Sequence, residues 1–461
     1  MQPDNLRFGG GSADSAISPL VALWLLVAIV LILTLPREKA ITPFLLAFFT
    51  IPIGEVVVLA GFHFTALRIL ILVGLLRRAM LPKSTIKGKY PGGFSAIDLV
   101  VVLWAVWAAA VEYIQFPQLP ALVNALGSLL DTLGGYLVVR SLIPDGEAVR
   151  RTIKTLAIIC AILGVTMINE QISHINVFGL LGGISTSVTV RDGHTRASGT
   201  FGCLYAGAFA GVLIPLFLWL WTTEKKSRAI AFAGLAGASA MVFTSYSSTS
   251  WMAYGGSILG LAFWPLRKQT RTLRWAFSLC LIALHLVMKA PVWALIARVD
   301  LTGSSSGEQR YMLVDMTVKH FSDWWLLGAK DYGKWGWDSW DLCNQFVAVA
   351  LTGGLLTLIF YIAIFSRSFG AIGRAMKQVS SNRKQQWLLW CYGSVMFATV
   401  IAHFGINYMA QLIMGLFPTV ACISVVTFEA RKAALESKRG AMQEQPVPRP
   451  EVPEGALCLS A

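Results

Sequence analysis

Residues 348–365 read AVALTGGLLTLIFYIAIF, eighteen positions without a charge. A bilayer core takes about 20 apolar residues per helix, so this stretch predicts a membrane span over residues 345–366. Working outward, similar runs recur along almost the whole chain. Spans are expected at 17–35, 41–60, 62–76, 96–115, 121–143, 152–168, 203–222, 229–244, 250–266, 272–290, 345–366, 387–403 and 405–428. The fold class that follows is an all-α polytopic membrane protein of about 12–13 transmembrane helices. Composition agrees: 56% hydrophobic and 13% charged residues exclude a soluble enzyme carried on one anchor. The first run, Ile17 to Leu35, exceeds the roughly 7–15 residues of a signal-peptide core and reads as a retained helix. The run 41–76 reads either as a hairpin turning at Gly61-Phe62-His63 or as a broken helix.

The net charge of +14 could suggest nucleic acid, but its distribution argues against that. The basic residues sit in short loops at alternating ends of the spans, such as Arg77, Arg78 and Lys83, then Arg150, Arg151 and Lys154, then Arg267, Lys268 and Arg271. This is the positive-inside pattern, and it accounts for the charge without an acidic partner. The segments divide as a polar N-terminal stretch 1–16, a single transmembrane domain 17–430, and a disordered cytoplasmic tail 431–461 containing QPVPRPEVPEG. Two long loops, 169–201 and 291–344, then face outward. The seven cysteines show no paired spacing, so neither a disulfide framework nor a metal site is expected. No metal or other cofactor is implied by any motif.

Just upstream of the quoted span, the second outer loop begins TGSSSGEQRYMLVD (302–315) and closes WGWDSWDLCNQF (335–346). A polytopic protein has little reason to hold so long a polar insert outside the bilayer, and we read it as a lid or platform over a membrane-embedded site. Residues Arg310 to Trp325 have helical spacing, with Leu313, Met316, His320 and Trp324 on one stripe and Asp315 and Lys319 as an i,i+4 pair. That predicts an amphipathic helix along the membrane surface. Arg310 opens it, where a cation opposes the helix dipole and needs an anionic partner. Glu308 is the ordinary candidate for that partner. In the first outer loop, VRDGHTRASGTFG (190–202) sets Arg191, His194 and Arg196 ahead of the next span. Their guanidiniums suit phosphate oxygens, or they anchor at the headgroup region like any interfacial arginine.

Trp335, Trp337 and Trp340 are denser than an aromatic belt requires and suit stacking on sugar faces; belt anchoring is the competing reading. Asp338, Asp341 and Asn344 stand at the mouth of the 345–366 span, as bases or orienters of a hydroxyl or as helix caps. Inside the spans, Asp131 and Arg140 are costly unless each meets a partner on another helix. The turn SYSSTS (245–250) specifies no nucleophile.

The order of these features resembles the O-antigen polymerase/ligase superfamily of bacterial polytopic membrane glycosyltransferases. The likeness lies in RASGTF (196–201) leading to IPLFLWL (214–220), the SYSSTS turn, the arginine-led surface helix, WWLLG (324–328), and NQFVAVALTGGLLTLIFY (344–361). It covers roughly residues 40–430. The resemblance implies metal-independent transfer of glycan units from an undecaprenyl-diphosphate carrier at the periplasmic face of the bacterial inner membrane, in polysaccharide biosynthesis. Arg310, Arg196 and Arg191 would hold the diphosphate, Asp341 or Glu308 would serve as catalytic base, and Trp335, Trp337, Trp340 and Asn344 would bind glycan. The partners implied are a lipid-linked glycan donor, a glycan acceptor, membrane lipids and polysaccharide assembly proteins. Three departures weigh against a ligase and toward a polymerase: Cys343 precedes Asn344 where ligases carry histidine, Gln309 precedes Arg310 in place of histidine, and SYSSTSW lacks an arginine. A transporter or flippase for lipid-linked glycans is the competing function, disfavoured because no two related halves are evident.

Overall fold

In the computed structural model, which describes residues 16–59, 62–80, 90, 93–298, 306–336, 339–409 and 411–443, the chain is an all-α polytopic membrane protein with two short β-hairpins. Its first part comprises α1 Pro19–Thr34, α2 Ile41–Thr50, β1 Val56–Leu59, β2 Phe62–Thr65, α3 Ala66–Met80, α4 Ala96–Gln115 and α5 Leu119–Leu142. Next come α6 Gly146–Ser173, β3 Thr189–Arg191, β4 His194–Arg196, α7 Cys203–Thr223, α8 Arg228–Thr244 and α9 Ser248–Ala262. The last part holds α10 Thr270–Val287, α11 Ser306–Lys319, α12 Gln345–Gln378, α13 Arg383–His403 and α14 Gln411–Gln443.

Every expected span contains a helix, but fewer are full-length than the twelve to thirteen expected. Among the described residues, seven (α4 to α8, α12 and α14) are long and apolar enough to cross a bilayer singly. The count reaches eight if the pair Trp264–Val287 and Val292–Arg298, bent by 93°, is one span. The shortfall has local causes. Helix α2 stops at Thr50 because Pro52 pushes Ile51 into extended backbone, ψ 129°. The chain then forms the β1–β2 hairpin, so the 41–76 run is both a broken helix and a hairpin; Gly61 lies outside the described residues. The tail expectation also changes. Residues 431–443 continue α14, since EARKAALE (429–436) is rich in strong helix formers. The Pro-rich 444–461 lies outside the described residues.

Hydrogen bonds sort the helix ends into two sets. At one end Arg77 reaches Leu35 O, Arg37 Nε lies 2.7 Å from Ser141 O, and Glu429 accepts from Gly146 N at 2.6 Å. Most of the basic loops gather here, and we call it the basic end. At the other, the loop end, Ser18 N meets Glu55 at 2.9 Å, Thr200 donates to Phe49 O at 2.8 Å, and Gln411 donates to Ile51 O at 2.8 Å.

Asp131 and Arg140, which the sequence expects to need partners on other helices, each have one. Arg68 forms a forked pair with Asp131 at 2.8–3.1 Å, and a π-helical turn at Leu130–Gly134 in α5 presents that carboxylate. Arg140 meets Asp98 at 3.2 Å, and Tyr136 donates to the same carboxylate. Between helices, small residues permit close approach: a Cβ at Gly164 of α6 would fall 2.6 Å from the Gly237 backbone of α8.

Candidate functional site

The loop end converges on the turn that joins α8 to α9. All five hydroxyl residues of this turn other than Tyr246, namely Ser245, Ser247, Ser248, Thr249 and Ser250, are buried. Ser245 Oγ lies 2.9 Å from both Val242 O and Ser250 Oγ. Tyr246 turns the chain through a left-handed conformation, φ 43°, and its ring stacks on His194 at 4.1 Å. Glycines on two neighbours admit the turn. A Cβ at Gly207 of α7 would lie 2.4 Å from Ser245 Oγ, and one at Gly405 would lie 2.6 Å from Thr249 Oγ1. Thr249 also donates to Gly405 O at 2.8 Å, which ties the turn to the end of α13.

Two arginines from different outer loops meet on this turn. Arg196, at the end of β4, is 6% exposed and its Nε lies 3.4 Å from Ser245 O. The backbone holds it there, since Ala197 N donates to Thr244 O at 2.9 Å. Arg310 of α11 is 5% exposed, and its Nη2 donates to Ser248 Oγ at 2.9 Å and Thr249 Oγ1 at 3.3 Å. Among the described residues, no carboxylate lies within ion-pair distance of Arg196. A buried guanidinium held by neutral oxygens is costly unless an anion completes it.

The rim of this site comes from the end of the long insert. Cys343 senses both Arg310 and Asp341: burial pushes its thiol up to about 11, Asp341 adds to the rise, and Arg310 opposes it. Asp341 is exposed and accepts from Gln309 Nε2 at 3.4 Å. It also lies within electrostatic reach of Tyr205, in the first turn of α7.

The insert is built as a fixed platform. Leu313, Trp324, Leu342 and Leu351 form a small apolar core of their own beneath it. The segment 325–329 is bonded into a break in α12 where Gly354 adopts φ 76°. Trp325 O accepts from Leu355 N, and Ala329 N donates to Leu351 O, both at 2.8 Å, so the groups freed by the break are satisfied. A side chain at Gly354 would strike Leu326 O at 2.5 Å, which explains the glycine in ALTGGLL.

Several sequence expectations are corrected by this geometry. The buried face of α11 carries Arg310, Asp315 and Thr317 beside Leu313, so it packs on a polar site and is not a simple apolar stripe. Asp315 and Lys319 do pair, at 2.7 Å, and the hydrogen bond with Lys319 holds the Asp315 carboxyl below its usual range. Glu308 is exposed, on the side of α11 away from Arg310, and so is not the arginine's neutralising partner in the turn. Arg191 is 45% exposed at the β3–β4 tip, 3.6 Å from Asp192, and does not join the other two arginines. Asn344 is a helix cap: its Oδ1 accepts from Phe346 N at 3.0 Å and Val347 N at 3.3 Å. A side chain 1% exposed and so engaged does not meet a glycan.

Among the tryptophans, Trp324 is buried, with its indole N–H on Thr317 O at 2.7 Å, so it is a core residue and not a belt anchor. Trp335 stacks on His320 at 4.5 Å with rings 6° apart. Trp340 is 69% exposed beside Asp341; Trp337 and Asp338 lie outside the described residues. The sequence reading missed the SYSSTS turn itself. The available signal was five small hydroxyl residues in six positions between two apolar spans, too polar to be lipid-facing and too short to be a solvent loop.

No protein-family model matches this chain, and no curated protein matches it.

Proposed function

We propose that the protein is a membrane glycosyltransferase of the polysaccharide-polymerase type. It would take glycan units from a polyprenyl-diphosphate carrier at the loop end, and the gathering of basic loops at the opposite end supports a periplasmic placement of this end. One observation carries this reading: Arg196 and Arg310, from separate loops, are both buried onto one hydroxyl-lined turn. Two converging guanidiniums match a diphosphate, whose charge grows as it leaves. In the reaction an acceptor hydroxyl oxygen forms a bond to the donor's anomeric carbon. The bond from that carbon to the diphosphate oxygen breaks, and its electron pair stays on the diphosphate. The hydroxyl proton passes to a carboxylate at the rim, for which Asp341 beside Gln309 is our candidate. Exposed Trp340 next to it supplies an aromatic face for a sugar ring.

The test is polymer chain length on a gel, normalised to membrane-inserted protein, in a strain lacking the native gene. Arg310→Ala should abolish polymer with insertion intact, and Arg310→Lys should restore only part of it, because an ammonium keeps charge but loses the planar fork. Wild-type polymer from Arg310→Ala would end the diphosphate-ligand reading. Glycan joined once to a lipid acceptor without chain growth would instead indicate a ligase.

A further inference from the structure

A cleft of about 340 Å³ opens between α1, α2 and the start of α6. That lies within the range of about 300–1,000 Å³ found for small-ligand sites. It is remote from the Arg196–Arg310 turn and plays no part in the proposed transfer. Its walls are apolar, from Trp24, Leu31 and Leu46, while Lys39 and Arg151 stand at its basic end and Thr42 lies between. Trp24 is oriented by its indole N–H, which donates to Thr50 Oγ1 at 3.0 Å. The neighbouring face of α1 (Leu20, Leu23, Leu26, Val30) is exposed, so the cleft opens on the apolar perimeter of the bundle.

We propose that this cleft binds one anionic glycerophospholipid, with an acyl chain along α1 and the phosphate group between Lys39 and Arg151. Length and charge both select this occupant. From Trp24 to Leu35 the wall runs about 16 Å at 1.5 Å per residue, which is close to half of a hydrocarbon core about 30 Å thick. A ligand lying there spans one leaflet and ends at headgroup level. The cations present at that level outnumber the acids. Arg37, Lys39, Arg77, Arg150, Arg151 and Lys154 face Glu38, Asp145 and Glu147, with Glu224 drawn off by Arg150 at 3.4 Å and Lys154 at 2.9 Å and Glu429 by Gly146 N at 2.6 Å. Arg151 donates to Glu38 O and holds Glu147 only at 3.7 Å, so it keeps capacity for a phosphate. Free phosphate would leave the apolar wall unused, and a zwitterionic lipid would leave the charge unmatched.

The experiment is native mass spectrometry of the full chain with dioleoyl phosphatidylglycerol, dioleoyl phosphatidylcholine, and glycerol 3-phosphate as separate probes. Two cations near a lipid headgroup predict a preference of roughly 30-fold for the anionic lipid. Lys39→Gln with Arg151→Gln should bring the two lipids to near parity. Leu46→Trp, which fills the cleft, should lower retention of both. Arg271→Gln with Arg274→Gln, at the start of α10, should change neither. Parity in the wild type, a preference that survives the Lys39/Arg151 change, or retention of glycerol 3-phosphate alone would each overturn the proposal. The readout is bound lipid, so it stands or falls separately from glycan transfer.

Discussion

Buried arginines occur in two regions of this protein, and their partners differ. Within the bundle, Arg140 lies against Asp98 and Arg68 against Asp131, each guanidinium on a carboxylate from another helix. At the loop end, Arg196 meets a carbonyl and Arg310 grips two hydroxyls of one turn. Arg140 is as deeply buried as the loop-end pair, at 1% exposed against 6% for Arg196 and 5% for Arg310, while Arg68 is half-buried. A carboxylate partner neutralises a guanidinium, and the pair then serves packing. Neutral oxygens orient a guanidinium without neutralising it, and among the described residues Arg196 has no carboxylate within ion-pair distance. On the proposed function, the comparison separates arginines that hold the bundle from those that serve a site.

The comparison breaks if the two kinds of variant behave alike. Arg196→Ala and Arg310→Ala should each remove polymer synthesis, by at least about 100-fold if they stabilise a leaving diphosphate, at unchanged protein level. Arg140→Ala should do the reverse, because it strands the Asp98 carboxylate in the bundle at a cost of about 3–5 kcal/mol. Membrane-inserted protein, measured by quantitative blotting, should fall steeply, with the surviving fraction retaining its specific activity. Equal loss of protein in Arg310→Ala and Arg140→Ala would mean that both regions are structural.

A backbone variant sharpens the same contrast. Gly354→Ala places a Cβ 2.5 Å from Leu326 O at φ 76°, which should expel the 325–329 segment from the break in α12. The strain alone is worth about 1–3 kcal/mol. Helix α12 should survive while the platform under Asp341 loosens, so limited proteolysis between α11 and α12 should accelerate and polymer output should drop. An unchanged cleavage rate would show that the platform does not depend on that insertion.

Helices and their order were readable because an apolar run must hydrogen-bond its own backbone in a bilayer, whatever its neighbours do. The need for partners at Asp131 and Arg140 was readable for a similar reason, since a lone charge there is too costly. The identities of those partners, Arg68 and Asp98, come from helix packing that no local pattern encodes. The site was only half legible. Arg196 and Arg310 stood out as cations before or at helix starts, yet their meeting point, SYSSTS, looked like an ordinary polar turn. Asn344 could be read either as a cap or as a glycan ligand, and only the fold decides for the cap, because position near a helix mouth does not reveal where a side chain points.

The smallest effect concerns Asp315 and Lys319, a counterpart of the buried pairs in which the lysine is exposed. Lys319 hydrogen-bonds the carboxylate at 2.7 Å and Trp293 Nε1 donates to it at 3.2 Å, which lowers the Asp315 pKa. A carboxyl whose pKa is depressed on folding stabilises the fold above its unfolded value of about 3.9 and loses that contribution as pH falls through the folded value. The lysine's raised pKa acts only at the other extreme, above about 10.4. Between about pH 5 and pH 9 the pair should therefore contribute a constant amount. Asp315→Asn keeps an acceptor for Trp293 but removes the charge. Its thermal unfolding midpoint in detergent should sit slightly below wild type at pH 7 and converge with it as pH falls through the lowered Asp315 pKa. Solvent screening keeps the gap small. A gap that stays constant down to pH 2 would assign the effect to packing and not to charge.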